Sequence, residues 1–147
     1  MAAPKGNQFW KARSKHGRDK IFSSPDILWE ACTEYFEWVD KHPLMAAELV
    51  KFQGRYRTAK VAKMRAMTLT GLFIFLDIDK KTWALYKDRE DFIPVITRVE
   101  EIIITQKFEG AAAELLNANI IARDLGLADK QKVEVTETHE DALSELE

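Results

Sequence analysis

A chain of 147 residues, 46% hydrophobic and 31% charged, is long enough for one domain with its own core, able to bury roughly 68–70% of its extended surface. Its single cysteine, Cys32, excludes an internal disulfide framework, and with no apolar run at the N-terminus it points to a reducing, intracellular setting rather than secretion. The net charge of -2 conceals a division: residues 1–20 carry six Lys or Arg against one Asp, residues 49–76 carry six and no acid, and residues 128–147 carry two Lys against seven acids. A basic head, a basic middle and an acidic tail suggest a polyanion partner at one place and a protein partner at another.

Residues 1–22 contain Gly6, Gly17 and Pro4 among spaced Lys and Arg, with Phe9 and Trp10 as the bulky apolar pair before Ile21, and are expected to form a basic, flexible arm. Basic side chains interleaved with aromatics suit phosphate contact and stacking. Ser24-Pro25 then reads as a helix cap followed by proline at the first helical position. Leu28, Ala31, Cys32, Tyr35, Phe36 and Val39 follow at helical spacing, so a first helix is expected to about Lys41, closed by His42-Pro43. Cys32 lies on its apolar stripe, which makes it a buried thiol rather than a nucleophile.

Near residues 46–62 the period changes to two, and Gln53-Gly54 can turn, so a two-stranded hairpin is expected. Basic residues sit on both arms and the pattern offers no nearby strand to join, so the hairpin should project. Phe52 and Tyr56 need cover, which favours contact with a second subunit. Met67–Asp77 reads as a short apolar helix capped by Thr68 or Thr70, and Asp79 can cap a second over Lys80–Asp88. Two short helices joined so tightly form a helix-turn-helix-like pair. In a nucleic-acid-binding version Lys80, Lys81 and Thr82 would face a groove or phosphates while Trp83 and Tyr86 lock the helix to the core; otherwise the pair is a corner of a bundle.

Phe92-Ile-Pro94 opens a longer helix, with Val95, Val99, Ile102, Ile103 and Gln106 on one face. Residues 108–127 are expected to hold the organising helix: Gly110 interrupts the preceding pattern, Ala111 starts a new one, and Gly126-Leu127 reads as a left-handed cap with its hydrophobic clasp. Ala112, Leu115, Leu116, Ile120 and Ile121, widened by Ala111, Ala113, Ala118 and Ala122, leave so little polar circumference that this helix calls for neighbours on more than one side. After Leu127, residues 132–138 alternate with period two through Val133 and Val135, and an acidic tail follows. A lone strand either stays disordered or pairs with copies of itself about a symmetry axis.

No Gly-Lys-Ser or Gly-Lys-Thr is present, so nothing supports a P-loop or nucleotide hydrolysis. His16, His42 and His139 are far apart, and one cysteine excludes a zinc site of known spacing. The longest apolar run, Leu72–Leu76, is far below the ~20 residues that span a bilayer. Neither a catalytic group, a cofactor, a metal nor a membrane is expected, and the sequence reads as that of a binding protein.

Three long words, residues 1–14, 62–72 and 110–127, together with Glu34-Tyr-Phe-Glu-Trp-Val39, closely resemble the small terminase subunit, the DNA-packaging recognition protein, of short-tailed lambdoid (P22-like) bacteriophages. The resemblance covers residues 1 to about 130 in register. It implies a homo-oligomeric ring, nonameric in close relatives, that acts in the host cytoplasm. The ring recognises the packaging site on double-stranded viral DNA and hands that DNA to the large terminase subunit, which carries the ATPase and nuclease. A helical body with a projecting hairpin would build the ring, and the strand near Val133 and Val135 would join its copies into a small barrel. The family's basic C-terminal extension is replaced here by an acidic tail, so its DNA contacts do not carry over beyond Lys132.

The fold class expected is therefore mainly α, with a helix-turn-helix-like pair, a hairpin and a C-terminal strand pairing between subunits. The arm spans 1–22, the ring-forming core 23–127, and the oligomerisation strand with its acidic tail 128–147. The DNA-binding candidates are Lys5, Lys11, Arg13, Lys15, Arg18, Lys80, Lys81, Lys87 and Arg89; the oligomerisation candidates are Phe52, Tyr56, Ala111, Ala113, Leu116, Ile120, Val133 and Val135. Two other readings use the same features: a dimeric helix-turn-helix transcription regulator, and a structural adaptor that never touches nucleic acid.

Overall fold

The computed structural model of the protein describes residues 7–15 and 22–127. Lys5, Arg18, Val133 and Val135, with the expected C-terminal strand and tail, lie outside the described residues. In chain order there is a short 3-10 turn (Phe9–Lys11), α1 (Pro25–Lys41), β1 (Leu44–Phe52), β2 (Arg55–Lys63), α2 (Leu69–Leu76), α3 (Lys80–Lys87), α4 (Ile93–Ala112) and α5 (Ala118–Asp124). The protein is thus mainly helical, with one antiparallel hairpin, as expected.

Local chemistry accounts for most of these boundaries. Ser24 Oγ accepts from Ile27 N–H, satisfying one of the unpaired amides at the start of α1, and Pro25 loses nothing at a position where its N–H would be unused. Thr68 caps α2 through Gly71 N–H, and Asp79 caps α3 through Thr82 N–H at 2.8 Å. Between them Asp77 turns the chain in the left-handed region at φ 59°, and Ile78 N–H reaches back to Phe73 O. The hairpin turns on Gln53 (φ 51°) and Gly54 (φ 77°), the pair of positive angles that matches strand twist in a two-residue loop. Its register runs from Leu44↔Lys63 to Phe52↔Arg55, so it is longer at its base than the periodicity indicated.

The core is built where α1, α2, α3 and α4 meet. Leu28, Cys32, Tyr35 and Val39 of α1 face Leu72, Phe75 and Leu76 of α2, Trp83 and Tyr86 of α3, and Ile96, Val99 and Ile103 of α4. Phe22 and Phe92 close its ends, both almost wholly buried. Burial among apolar side chains pushes the Cys32 thiol far above its ordinary pKa, consistent with a packing role. Among the described residues the hairpin's strands pair only with each other, and the ribbon stays outside this core.

Two corrections concern residues 108–127. Gly110 does not interrupt a helix: α4 continues through it to Ala112. A β-carbon there would lie 2.6 Å from Leu116 Cδ1 and 2.8 Å from Met64 Sδ, so glycine serves close packing rather than termination. The single organising helix is also two pieces. α4 ends where Glu114 takes φ 61°, with Glu114 N–H bonding Ala111 O and Leu115 N–H bonding Gly110 O. Asn117 then caps α5 through Ile120 N–H. The stop at Gly126 is as read from the sequence: φ is 71°, and Gly126 and Leu127 N–H groups bond Arg123 O and Ala122 O.

Tyr35 joins α1 to the start of α2. Its hydroxyl accepts from Thr68 N–H and donates to Thr68 O, and a β-carbon on Gly71 would sit 2.7 Å from that oxygen. Gly71→Ala should therefore destabilise the protein by about 1–3 kcal/mol through overpacking, more than the roughly 0.5–1 kcal/mol that alanine gains over glycine in a helix. Chemical denaturation of the two proteins measures the difference; an equal or higher midpoint for the variant would contradict the close approach.

Candidate surfaces for nucleic acid and for self-association

Residues 7–15 lie against the helical body. Ser14 N–H donates to Phe75 O at the C-terminal end of α2, while Ser14 Oγ and Lys15 N–H both donate to Glu34 Oε2 of α1. The turn at 77–79 and the start of α3 follow directly from that end of α2. The fold thus brings the segment carrying Arg13 and Lys15 toward the element that carries Lys80 and Lys81, although the two are far apart in sequence.

The candidate cations are not equivalent. Lys11, Lys80 and Lys81 are exposed and enter no ion pair among the described residues. Arg13 folds onto the carbonyls of Trp10 and Ala12, and Lys15 lies 3.9 Å from Glu34. Lys87 is 2.7 Å from Glu100, which also accepts from Trp83 Nε1–H, so this lysine helps fasten α3 to α4. Arg89 sits 3.7 Å from Asp91 and stacks over Phe92 at 4.5 Å. Such exposed pairs are worth little, so they leave the cations able to exchange partners.

One first-turn amide of α3, that of Thr82, is already taken. Asp79 Oδ1 takes both the backbone N–H and the hydroxyl of Thr82, and these bonds, helped by Lys81, hold its carboxyl below the ordinary carboxylate range. The side chains of Lys80 and Lys81 stay exposed at this end of the helix.

Exposed apolar side chains include Phe9, Trp10 and Leu85, and two further groups bear on self-association. On the hairpin Leu49, Phe52 and Tyr56 are 69%, 64% and 66% exposed; on α4, α5 and the turn between them, so are Ile104, Phe108, Leu115 and Ile120, from 50% to 65%. Ile104 and Phe108 are four apart and form a stripe on α4 opposite its buried stripe of Ile96, Val99 and Ile103. Among the named oligomerisation candidates, Ala113 is exposed and Ala111 half-buried, whereas Leu116 folds back onto Gly110 within the same subunit. Sequence reading missed Ile104 as a surface residue; its signal was that, with Phe108, it makes a second apolar stripe on α4 beyond the one the core needs.

It also missed Lys107. This side chain is 9% exposed and its ammonium meets the Asp124 carboxylate, tying α4 to α5. Gln106, one residue earlier, accepts from Met67 N–H and donates to Arg65 O, fastening the segment that leaves the hairpin. An apolar cleft of about 450 Å³ opens beside that segment, lined by Phe9, Trp38, Leu44, Arg65 and Phe75 among others. Among the described residues no group of three or more His, Cys, Asp or Glu could hold a metal ion, and no helix is long and apolar enough to cross a membrane.

The described residues make a small helical domain whose candidate contact side chains lie spread over helix and ribbon surfaces. The family described as DNA-packaging protein gp3 matches residues 17–133. The small subunit of terminase from Salmonella phage P22 is 58% identical over 134 residues, covering 91% of this chain and 83% of that relative. The chain belongs to this DNA-packaging family of P22-like small terminase subunits, as its long sequence words indicated.

Removing Asp124 should cost more than removing the charge it pairs with. Asp124→Ala strands a buried ammonium and should destabilise by about 1.5–3 kcal/mol, while Lys107→Met leaves a half-exposed carboxylate that water can hydrate; thermal midpoints of both variants decide it. Asp79 gives a pH test. Because its folded pKa is depressed, its stabilisation is complete above the ordinary carboxylate range and is lost as pH falls through the folded value. Asp79→Ala should lower the melting temperature near neutrality and converge with the parent in strong acid.

Proposed function

We propose that this protein is the non-catalytic, DNA-recognising subunit of a viral genome-packaging motor, working in the host cytoplasm. Copies of the chain assemble into a ring, nonameric by resemblance, with residues 23–127 as the building block, residues 1–22 as a basic arm, and 128–147 supplying a strand through Val133 and Val135. The ring binds packaging-site duplex DNA and recruits and regulates the large terminase subunit, whose ATPase and nuclease do the chemical work. Kinship with a protein named terminase small subunit supports this assignment.

The observation that carries the assembly reading is the uncovered apolar surface. A closed core of four helices leaves Phe52, Tyr56 and Ile120 in water, beside Ile104, Phe108 and Leu115, more apolar exposure than a free monomer needs. Ala111, Ala113 and Leu116 belong to the same region. For DNA, Lys11, Lys80 and Lys81 are the strongest contributors because other charges do not occupy them; Arg13, Lys15, Lys87 and Arg89 would join by leaving weak pairs, and Lys5 and Arg18 extend the arm. Repetition around a ring turns individually weak phosphate contacts into tight binding.

Native mass spectrometry of the chain alone, with duplex DNA and with the large subunit tests the whole reading; a stable monomer indifferent to both would overturn it. The DNA surface has its own measurement. Lys80→Ala with Lys81→Ala should weaken duplex binding and reduce the slope of log affinity against log salt by about 0.9 for each phosphate that is no longer neutralised, at unchanged oligomeric mass. An unchanged slope would remove α3 from the DNA surface.

A further inference from the structure

Residues 7–15 form a strap pinned at both ends. Asn7 Nδ2–H donates to Met45 O at 3.2 Å and Asn7 Oδ1 accepts from Met45 N–H at 3.0 Å, at the base of the hairpin. At the other end Ser14 is buried, its N–H donating to Phe75 O and its hydroxyl to Glu34 Oε2. Between these pins the chain makes the 3-10 turn Phe9–Lys11, with Lys11 and Ala12 N–H groups bonded to Gln8 O and Phe9 O. The Arg13 guanidinium fastens the turn further by donating to the carbonyls of Trp10 and Ala12.

What the strap holds up is an aromatic pair. Phe9 and Trp10 are 43% and 48% exposed, with ring centroids 5.6 Å apart and ring planes at 85°. Phe9 is the inner ring, lining the apolar cleft with Ala12 and Phe75, whereas Trp10 stands outside that cleft. An indole left half in water is a large contact surface without a partner. The charges beside it are positive: residues 7–15 hold Lys11, Arg13 and Lys15 and no acid. The carboxylate they bond, Glu34, is engaged by Ser14 and Lys15, while Lys11, next to Trp10, enters no ion pair among the described residues. Past the end of α2, Asp77 and Asp79 are followed by Lys80 and Lys81, which balance them, so the positive excess lies on the strap.

We propose that Trp10 enters a base step of bound duplex DNA as a wedge, with Phe9 as its buttress and Lys11 on a neighbouring phosphate. This rests on the reading above that the protein binds duplex DNA, and it names the residue that deforms the duplex. The angle between the two rings separates this use from another. A platform for a single strand offers rings on which successive bases stack. Two rings at 85° cannot both lie parallel to successive bases, so one ring stacks and the other supports its edge. A wedge needs a single ring on a stiff mount, because it must part bases that resist unstacking. The two pins and Arg13 supply that mount, and the strap's cations hold the phosphates while the bases separate. Kinking is easiest at pyrimidine–purine steps, so the wedge gives a sequence preference without hydrogen bonds to base edges.

The test titrates the full-length protein into short duplexes that carry a TA step beside a fluorescent adenine analogue, whose emission rises on unstacking, and a donor–acceptor dye pair at their ends. The parent should raise the analogue's emission and shorten the distance between the ends, as unstacking and kinking require. Trp10→Ala should abolish both signals and weaken binding on the order of tenfold. It should leave the slope of log affinity against log salt unchanged, because an indole neutralises no phosphate. Lys11→Ala should do the opposite, reducing that slope by about 0.9 while keeping the unstacking signal. Trp10→Phe retains a ring and should retain most of the signal; thermal unfolding verifies that each variant keeps the core. A parent that binds without unstacking, or a Trp10→Ala protein with parental affinity and bend, would overturn the wedge. So would a Trp10→Ala protein whose oligomeric mass changes in the absence of DNA, which would assign the indole to contact between copies. A parent with no duplex affinity would instead defeat the DNA reading on which the inference rests.

Discussion

The segment between the hairpin and α2, residues 64–68, is the point on which the arrangement depends. It joins an exterior ribbon to a packed helix, and apart from Thr68 O, which accepts from Leu72 N–H, its backbone polar groups have neither a ladder nor a helix to satisfy them. Side chains from both flanking helices do so instead. Tyr35 of α1 takes both backbone groups of Thr68, and Gln106 of α4 takes Met67 N–H and Arg65 O. Arg65 in turn donates to His42 O and stacks over Trp38 at 4.8 Å, so the two strands leave the body from a common anchor. Buried backbone groups left unpaired are costly, which gives these side chains control over where the ribbon points.

Close backbone approach follows from the same anchor. Gly71 gives room for the Tyr35 hydroxyl, and Gly110 for Met64 and Leu116, so the anchored segment is held tightly against α1 on one side and α4 on the other. The surfaces offered to partners are then fixed relative to each other by packing, not by the loops alone. The ribbon, the start of α3 and the exposed stripe of α4 all spring from elements that this segment clamps.

Local signals were legible in the sequence because their physics is local. Ser24-Pro25, Gln53-Gly54, Asp79 and Gly126 each fix a few dihedral angles and satisfy neighbouring amides, and all four act as expected. Gly110 was misread because propensity sees a helix breaker where the fold needs the absence of a side chain, a demand set by Met64 and Leu116 from other elements. Glu114 was invisible as a helix end, since glutamate seldom occupies the left-handed region and only the bonds to Ala111 and Gly110 hold it there. Lys107 drew no reading from the sequence, because its partner Asp124 becomes a neighbour only after the chain turns back. The family itself was legible throughout, carried by long words rather than by any single site.

The side chain of Asn7 adds a last consequence. Its amide donates to Met45 O and its carbonyl accepts from Met45 N–H, the pair of bonds that an antiparallel neighbour would make. At that point a single residue stands in for a third strand on the free edge of β1. Unpaired strand edges are templates for indiscriminate pairing between chains. By closing the ribbon's base while leaving its tip open, Asn7 confines the unpaired edge of β1 to the distal part of the hairpin, a guard against fibrous mispairing at the base.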